Sequence, residues 1–213
     1  MTPAEQIALW ADQIRDLSAM GLLFSKSIYD RTNYETLTNM AMAMQALVSG
    51  ESLEQLEPLR TTVFARPTPL TVGDAAVVDD AGRILLIRRA DNRLWAMPGG
   101  ALEVGETPAE GVVREAFEEA GVRAEPVALV GVYDSRLCGT VARFHLYQFV
   151  FLCRPGDTKL EKPSHELEVL DVAWFAENEL PPDIDPGHVT RIPDVFRVWR
   201  GDARSFFDRD GVK

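Results

Sequence analysis

Residues 98 to 122 decide the fold. They read Pro98-Gly99-Gly100-Ala101-Leu102-Glu103-Val104-Gly105-Glu106, then Thr107-Pro108-Ala109-Glu110-Gly111-Val112-Val113, then Arg114-Glu115-Ala116-Phe117-Glu118-Glu119-Ala120-Gly121-Val122. A helix from about Thr107 to Ala120 carries its own punctuation. Thr107 is an N-cap, Pro108 suits the first helical position, and Glu110 completes a capping box. Gly121 fits a left-handed C-terminal cap. Glu115, Glu118 and Glu119 then stand at i, i+3 and i+4, within about 60° of the first on one helical face. Like charges so spaced repel by a few tenths of a kcal/mol per pair. A hard divalent cation turns that repulsion into attraction, because Mg²⁺ takes oxygen ligands and keeps waters and phosphates as the rest of its shell. A structural ion pair between Glu106 and Arg114 would pin the loop to the helix. Gly99 and Gly100 permit a close-packed turn in which the Gly99 carbonyl can face the metal. Three glutamates in one turn more often mean a solvated face. That reading leaves the Gly-Gly loop, Glu106 and the Arg-Glu pair unexplained.

Outward from this segment the texture is mixed. The first sixty or so residues read as helical, with Ile7, Trp10, Ile14, Leu17 and Leu22 near a 3- to 4-residue period. A second helical run covers Tyr34 to Val48, its apolar stripe Leu37, Met40, Met44 and Leu47, with Ala41 beside it. That stripe reads as core or dimer contact. Gly50 ends the run, and a short helix around Leu53–Leu59 follows. Arg66-Pro67-Thr68-Pro69 reads as a linker, and dividing there gives a helical region, residues 1–65, and a domain of residues 66–213. In the domain, Leu70 to Val78 and Arg83 to Arg89 flank Asp79-Asp80-Ala81-Gly82 and predict a hairpin. Further strands are expected around Val127–Leu137, Val141–Leu152 and Val169–Phe175, and a last helix from Pro193 to about Trp199. The fold class is α/β.

Composition narrows the function. The 213 residues are 46% hydrophobic and 26% charged, ordinary for a globular chain, with a net charge of −11. No Lys/Arg cluster offsets that charge, which argues against stable nucleic-acid binding. No apolar run approaches the ~20 residues of a membrane span. The N-terminus lacks the pattern of a secretory signal, and Cys138 and Cys153 form no CxxC motif, so a cytoplasmic setting is expected. If the substrate carries phosphates, this acidic surface needs a cation to meet them.

The segment from Gly100 through Val122 resembles the Nudix box, G-x5-E-x7-R-E-U-x-E-E-x-G-U, with every charged and glycine position filled. Ala116 departs from it where a bulky aliphatic is usual, which should loosen helix packing a little. The resemblance continues through Arg83–Arg89 and Leu94-Trp95-Ala96-Met97-Pro98, and covers about residues 70 to 180. It implies a mixed-sheet α/β/α sandwich, here preceded by a small helical region, and a pyrophosphohydrolase dependent on Mg²⁺ or Mn²⁺. It also implies Glu115 and Glu119 as principal metal ligands, Glu118 as a further one, and a glutamate from a later loop. Glu168 matches that last position best, with Glu166 in reserve. Glu168 and Glu115 are the two candidates for the base that takes the water proton.

The stretch from Leu17 to Asp30, continuing to Glu35, is similar to the helical region of a bacterial branch typified by CDP-choline pyrophosphatases and related nucleoside-diphosphate-X hydrolases. This resemblance implies a nucleotide-derived substrate, with CDP-choline or a close analogue leading and ADP-ribose or a nucleotide sugar following. It also implies a homodimer. Tyr133, Phe144, His145 and Tyr147 are candidates for base recognition, against the commoner role of strand aromatics as core. Two rivals remain: a ligand sensor without catalysis, and an isomerase of isopentenyl diphosphate, which would need a cysteine in the site. Clean-up of oxidised nucleoside triphosphates stays open, with the helical extension arguing mildly against it.

Overall fold

The computed structural model describes residues 2–61, 69–140, 146–165 and 167–209. The chain divides into two compact units, residues 1–68 with 103–105, and residues 69–102 with 106–213. The linker residues Arg66, Pro67 and Thr68 lie outside the described residues.

In the first unit α1 (Pro3–Phe24) and α2 (Ile28–Ser49) pack on each other, and α3 (Leu53–Leu56) follows. Thr2 caps α1 through a capping box with Glu5, and Gly50 closes α2 with φ 75°. The inner face of α2 is Thr38, Ala41 and Met42, against Leu56 and Ile14. Met40 and Leu47 of the expected stripe turn outward instead, 51% and 74% exposed. The small and hydroxylated residues let the two helices approach, so the interior lies one step round from the largest side chains.

In the second unit, β1 (Leu70–Val77) lies between β4 (Gly99–Ala101), antiparallel, and β6 (Leu146–Pro155), parallel. β6 pairs antiparallel with β5 (Ala124–Asp134), and β5 pairs parallel with β8 (Phe206–Phe207), completing one mixed sheet. A second sheet is β3 (Trp95–Ala96), β2 (Arg83–Arg89) and β7 (Val169–Ala176), all antiparallel. The expected hairpin of β1 with β2 is therefore not formed. The turn at Asp79–Gly82 passes the chain from one sheet to the other, and only Val78 and Ile84 form a bridge across it. The stretches 73–77 and 84–87 are buried on both faces, so they show no alternation in which a pairing partner is written.

Alternate residues of these strands fill two cores. Ala75, Val77, Leu85 and Ile87 face α4 (Pro108–Ala120) through Val112, Ala116 and Ala120. Ala76, Val78, Ile84 and Leu86 face α5 (Pro186–Trp199) through Ile192, Val195 and Phe196. The result is the α/β/α sandwich, with a helix on each side. Ala116 is fully buried between α4 and the strands. The last helix starts seven residues before the expected position, because Asp185 caps it by accepting from the Gly187 N–H and Pro186 takes the first turn. Pro193 sits inside it. An internal proline costs about 3 kcal/mol, which burial of Ile192, Val195 and Phe196 on either side offsets.

Candidate active site

α4 presents the glutamates. Thr107 accepts from the Glu110 N–H at 3.2 Å, Glu110 accepts in return from the Thr107 N–H at 2.8 Å, and Gly121 closes the helix with φ 64°. Arg114 ties the face together. Its Nε and Nη2 donate to the two oxygens of Glu106 at 3.1 and 2.9 Å. Nη1 donates to Glu115 at 2.8 Å and Glu118 at 3.0 Å, and Nη2 also reaches the Ala101 carbonyl at 3.1 Å. A planar guanidinium can serve this many acceptors at once, where an ammonium could not.

The glutamates sit in different surroundings. Glu115 is 8% exposed, and burial raises its pKa while Arg114 opposes the rise. Glu119 accepts from the Gly99 N–H at 2.8 Å. Burial, with Glu115 and Glu168 nearby, pushes its carboxyl up to about 7 despite that bond. Besides the carbonyl that the sequence points to as a ligand, Gly99 offers its N–H, and this holds Glu119. Neither glycine of the loop has room for a side chain. A Cβ on Gly99 would meet the Gly73 carbonyl oxygen at 2.3 Å, and one on Gly100 would meet the Glu115 carboxylate at 2.7 Å.

These groups open on a cleft of about 630 Å³, lined by Arg89, Gly99, Gly100, Glu115, Glu119, His165 and Glu168 among others. Glu168 thus faces Glu115 and Glu119, although it lies some fifty residues beyond them in the chain. Its backbone is fixed by the His165 carbonyl at 3.0 Å and by the Ala90 N–H at 2.8 Å. Glu118 stands behind this lining, with its oxygen on Arg114 and 4.0 Å from His165 Nε2. Glu166, Phe144 and His145 lie outside the described residues.

Other expected residues fall elsewhere. Tyr133 is 2% exposed, stacks on Phe206 at 4.5 Å and donates to Asp194 at 3.0 Å, so it is core rather than a platform for a base. Tyr147 is 40% exposed on β6 and is not part of the cleft lining. Cys138 and Cys153 are buried and also absent from that lining, and burial pushes the Cys153 thiol up to about 12. Arg89 and His165 line the cleft without being singled out in the sequence. The Arg89 guanidinium is steered by Asp91, at 3.0 and 2.8 Å.

Among the described residues no three His, Cys, Asp or Glu side chains are gathered in ligating geometry. Arg114 and the Gly99 amide engage their oxygens instead. The donor set still fits a hard divalent cation. Glu115, Glu119 and Glu168 share one cleft and offer only oxygen, and burial, with the other two carboxylates nearby, raises the Glu119 pKa.

The sequence matches the NUDIX domain over residues 68–195, and residues 5–59 match the family described as a UDP-X-like N-terminal oligomerisation domain. The chain belongs to the Nudix family, in the branch with a helical N-terminal domain, and is a hydrolase of phosphorus anhydrides. It is 36% identical to YjhB of Bacillus subtilis, provisionally named an ADP-ribose pyrophosphatase, over 93% of this chain and 95% of that one. It is 36% identical to an ADP-ribose pyrophosphatase of Methanocaldococcus jannaschii, over 58% of this chain and 71% of that one. A crystal structure of a UDP-X diphosphatase superposes with a TM-score of 0.58 at 28% identity, covering 96% of this chain and 98% of that one.

Proposed function

We propose that this chain is a divalent-metal-dependent hydrolase of a nucleoside diphosphate linked to X, yielding a nucleoside monophosphate and phospho-X. The observation that carries this reading is the meeting of Glu115, Glu119 and Glu168 with Arg89 in one cleft. Mg²⁺ or Mn²⁺, when bound, neutralises the diphosphate and orients the attacking water. Glu115 and Glu119 are the residues to hold it, with Glu118 behind them and Gly99 positioning Glu119. Arg89 supplies a cation to the same cleft, and Asp91 fixes its direction. Glu168 is assigned to take the water proton, because Glu115 gives one oxygen to Arg114 and leaves the other for the metal. Arg114, Glu106, Gly100 and Gly121 hold the loop and helix in register.

Names of the full-length relatives favour ADP-ribose or a UDP-linked compound over CDP-choline as the substrate. The alternatives are weaker. The three acidic residues of the cleft argue against a sensor that has lost catalysis, and the buried cysteines argue against an isomerase. Pairing through the helical unit is part of the proposal. It is supported by the oligomerisation family matched there and by Leu17, Ile28, Tyr29 and Leu47, each 65–78% exposed. A cytoplasmic location is proposed as well; among the described residues no helix is long and apolar enough to cross a membrane.

The test is incubation with ADP-ribose, UDP-sugars, CDP-choline and nucleoside triphosphates, with Mg²⁺ or Mn²⁺, followed by ³¹P NMR of the products. Nucleoside monophosphate and phospho-X are expected. Pyrophosphate from triphosphates alone, with the X-linked compounds untouched, would overturn the reading.

A further inference from the structure

The segment from Trp95 to Gly99 delivers the amide that holds Glu119, and α5 secures that segment from the opposite side of the sheet. The Trp95 N–H donates to the Asp183 carbonyl at 2.9 Å, and its carbonyl accepts from Asp185 at 2.8 Å. The Pro98 carbonyl accepts from the Ala75 N–H at 2.8 Å. Between them the buried Met97 N–H donates to a side chain, the His188 Nδ1, at 3.2 Å. A buried amide must have a partner, and here an imidazole supplies it.

That bond dictates the tautomer. Nδ1 can accept only from a neutral ring carrying its proton on Nε2. The ring's surroundings agree: Nε2 lies 4.0 Å from Asp74 Oδ1, and burial, with Arg191 and Arg89 nearby, holds the His188 pKa well below its ordinary value. Asp74 is in turn fixed by Arg191, whose Nη1 donates to Asp74 Oδ2 and whose Nε donates to the Gly187 carbonyl at 2.8 Å. Asp74 pairs with Gly99 across the β1–β4 ladder. His188, Asp74 and Arg191 are 6%, 6% and 0% exposed. None of them lines the cleft.

We infer that His188, backed by Asp74 and Arg191, is a positioning residue for the reaction, setting the height of the Met97–Gly99 segment so that the Gly99 N–H meets Glu119. This rests on the reading above that Glu119 serves the chemistry. It adds a requirement that the glutamate helix alone does not impose, namely an acceptor at one point on α5, 91 residues beyond Met97.

Two amides of different reach make the test. Asn in place of His188 puts its Oδ1 where Nδ1 stands; Gln carries its oxygen one bond too far. Both are neutral and polar, so they differ in geometry more than in their demands on the core. His188→Asn should keep kcat within about 3-fold, and His188→Gln should lose about 10- to 100-fold in kcat with KM little changed, the scale expected for a misplacement of about 1 Å. The independent readout is the Gly99 amide proton in a ¹⁵N–¹H spectrum, without substrate or metal. Donation to a charged or buried carboxylate should move it downfield. That shift should survive in the Asn variant and collapse in the Gln variant towards its position in Glu119→Ala. Identical Gly99 resonances in the two variants, both folded, would overturn the inference whatever the substrate. Failure of every compound in the substrate panel would strike the proposed function and leave the spectral comparison standing.

Discussion

Replacing Glu119 by Gln should make the metal-free protein more stable and the metal-loaded protein less active. The carboxyl is pushed from 4.5 to about 7 in the folded chain. A rise of that size corresponds to about 3 kcal/mol of unfavourable interaction with the ionised form. Because the folded-state value lies above the unfolded one, the folded chain holds the extra proton between these two values. Stability is therefore lost as pH rises from about 4.5 to about 7. Glutamine mimics the protonated acid, and its oxygen can still accept from Gly99. With chelator present, the variant should exceed the parent by about 2 to 3 kcal/mol at pH 8 and by less than about 1 kcal/mol at pH 5. Urea unfolding at the two pH values measures this directly. In Mg²⁺ the order should reverse, since a ligand that binds only the folded state stabilises it, and turnover should fall by orders of magnitude. An equal stability difference at both pH values would refute the claim that burial, with Glu115 and Glu168 nearby, holds the Glu119 carboxyl above its ordinary range.

Gly100→Ala would push a methyl to within 2.7 Å of the Glu115 carboxylate, the far end of a side chain that Arg114 holds in the parent. It should cut turnover at least about 10-fold while moving stability by less than about 1 kcal/mol. Gly99→Ala meets a backbone carbonyl at 2.3 Å and should destabilise by more than about 2 kcal/mol, read by thermal melting. Arg114→Lys keeps the charge but cannot hold Glu106, Glu115 and Glu118 together; loss of about 1 to 2 kcal/mol and a weaker Mn²⁺ affinity by electron spin resonance are expected. Asp74→Ala leaves the buried Arg191 uncompensated and should cost about 3 to 5 kcal/mol in denaturant unfolding.

What could be read from the sequence was local. Thr107, Glu110 and Gly121 bracket α4 because caps act within a turn of the residues that make them. The Glu106–Arg114 contact spans eight residues, still inside one loop and helix. Pairing was another matter. β1 joins β6, about seventy-five residues on, and nothing in Leu70–Val77 names that partner; the nearer β2 looks equally suitable until both faces are known to be buried. Tyr133 turns out to be core, the commoner of its two roles, and an aromatic on a strand reads the same in sequence whichever face it turns inward. His188, Asp74 and Arg191 belong to no short motif, and only folding brings His188 to Met97 and the other two behind it. Arg89 was visible in the lead-in strand, but its direction is set by Asp91 and the turn beyond.

The alternation along β1 and β2 has one more consequence. Odd-numbered side chains belong to the glutamate helix and even-numbered ones to α5, so deleting one residue from either strand would exchange the two populations wholesale. An insertion at Asp80–Ala81, in the turn, would leave both sets where they are. The two strands act as a partition, and the contacts that tie α5 to the segment beside Glu119 run through Met97 and Asp74.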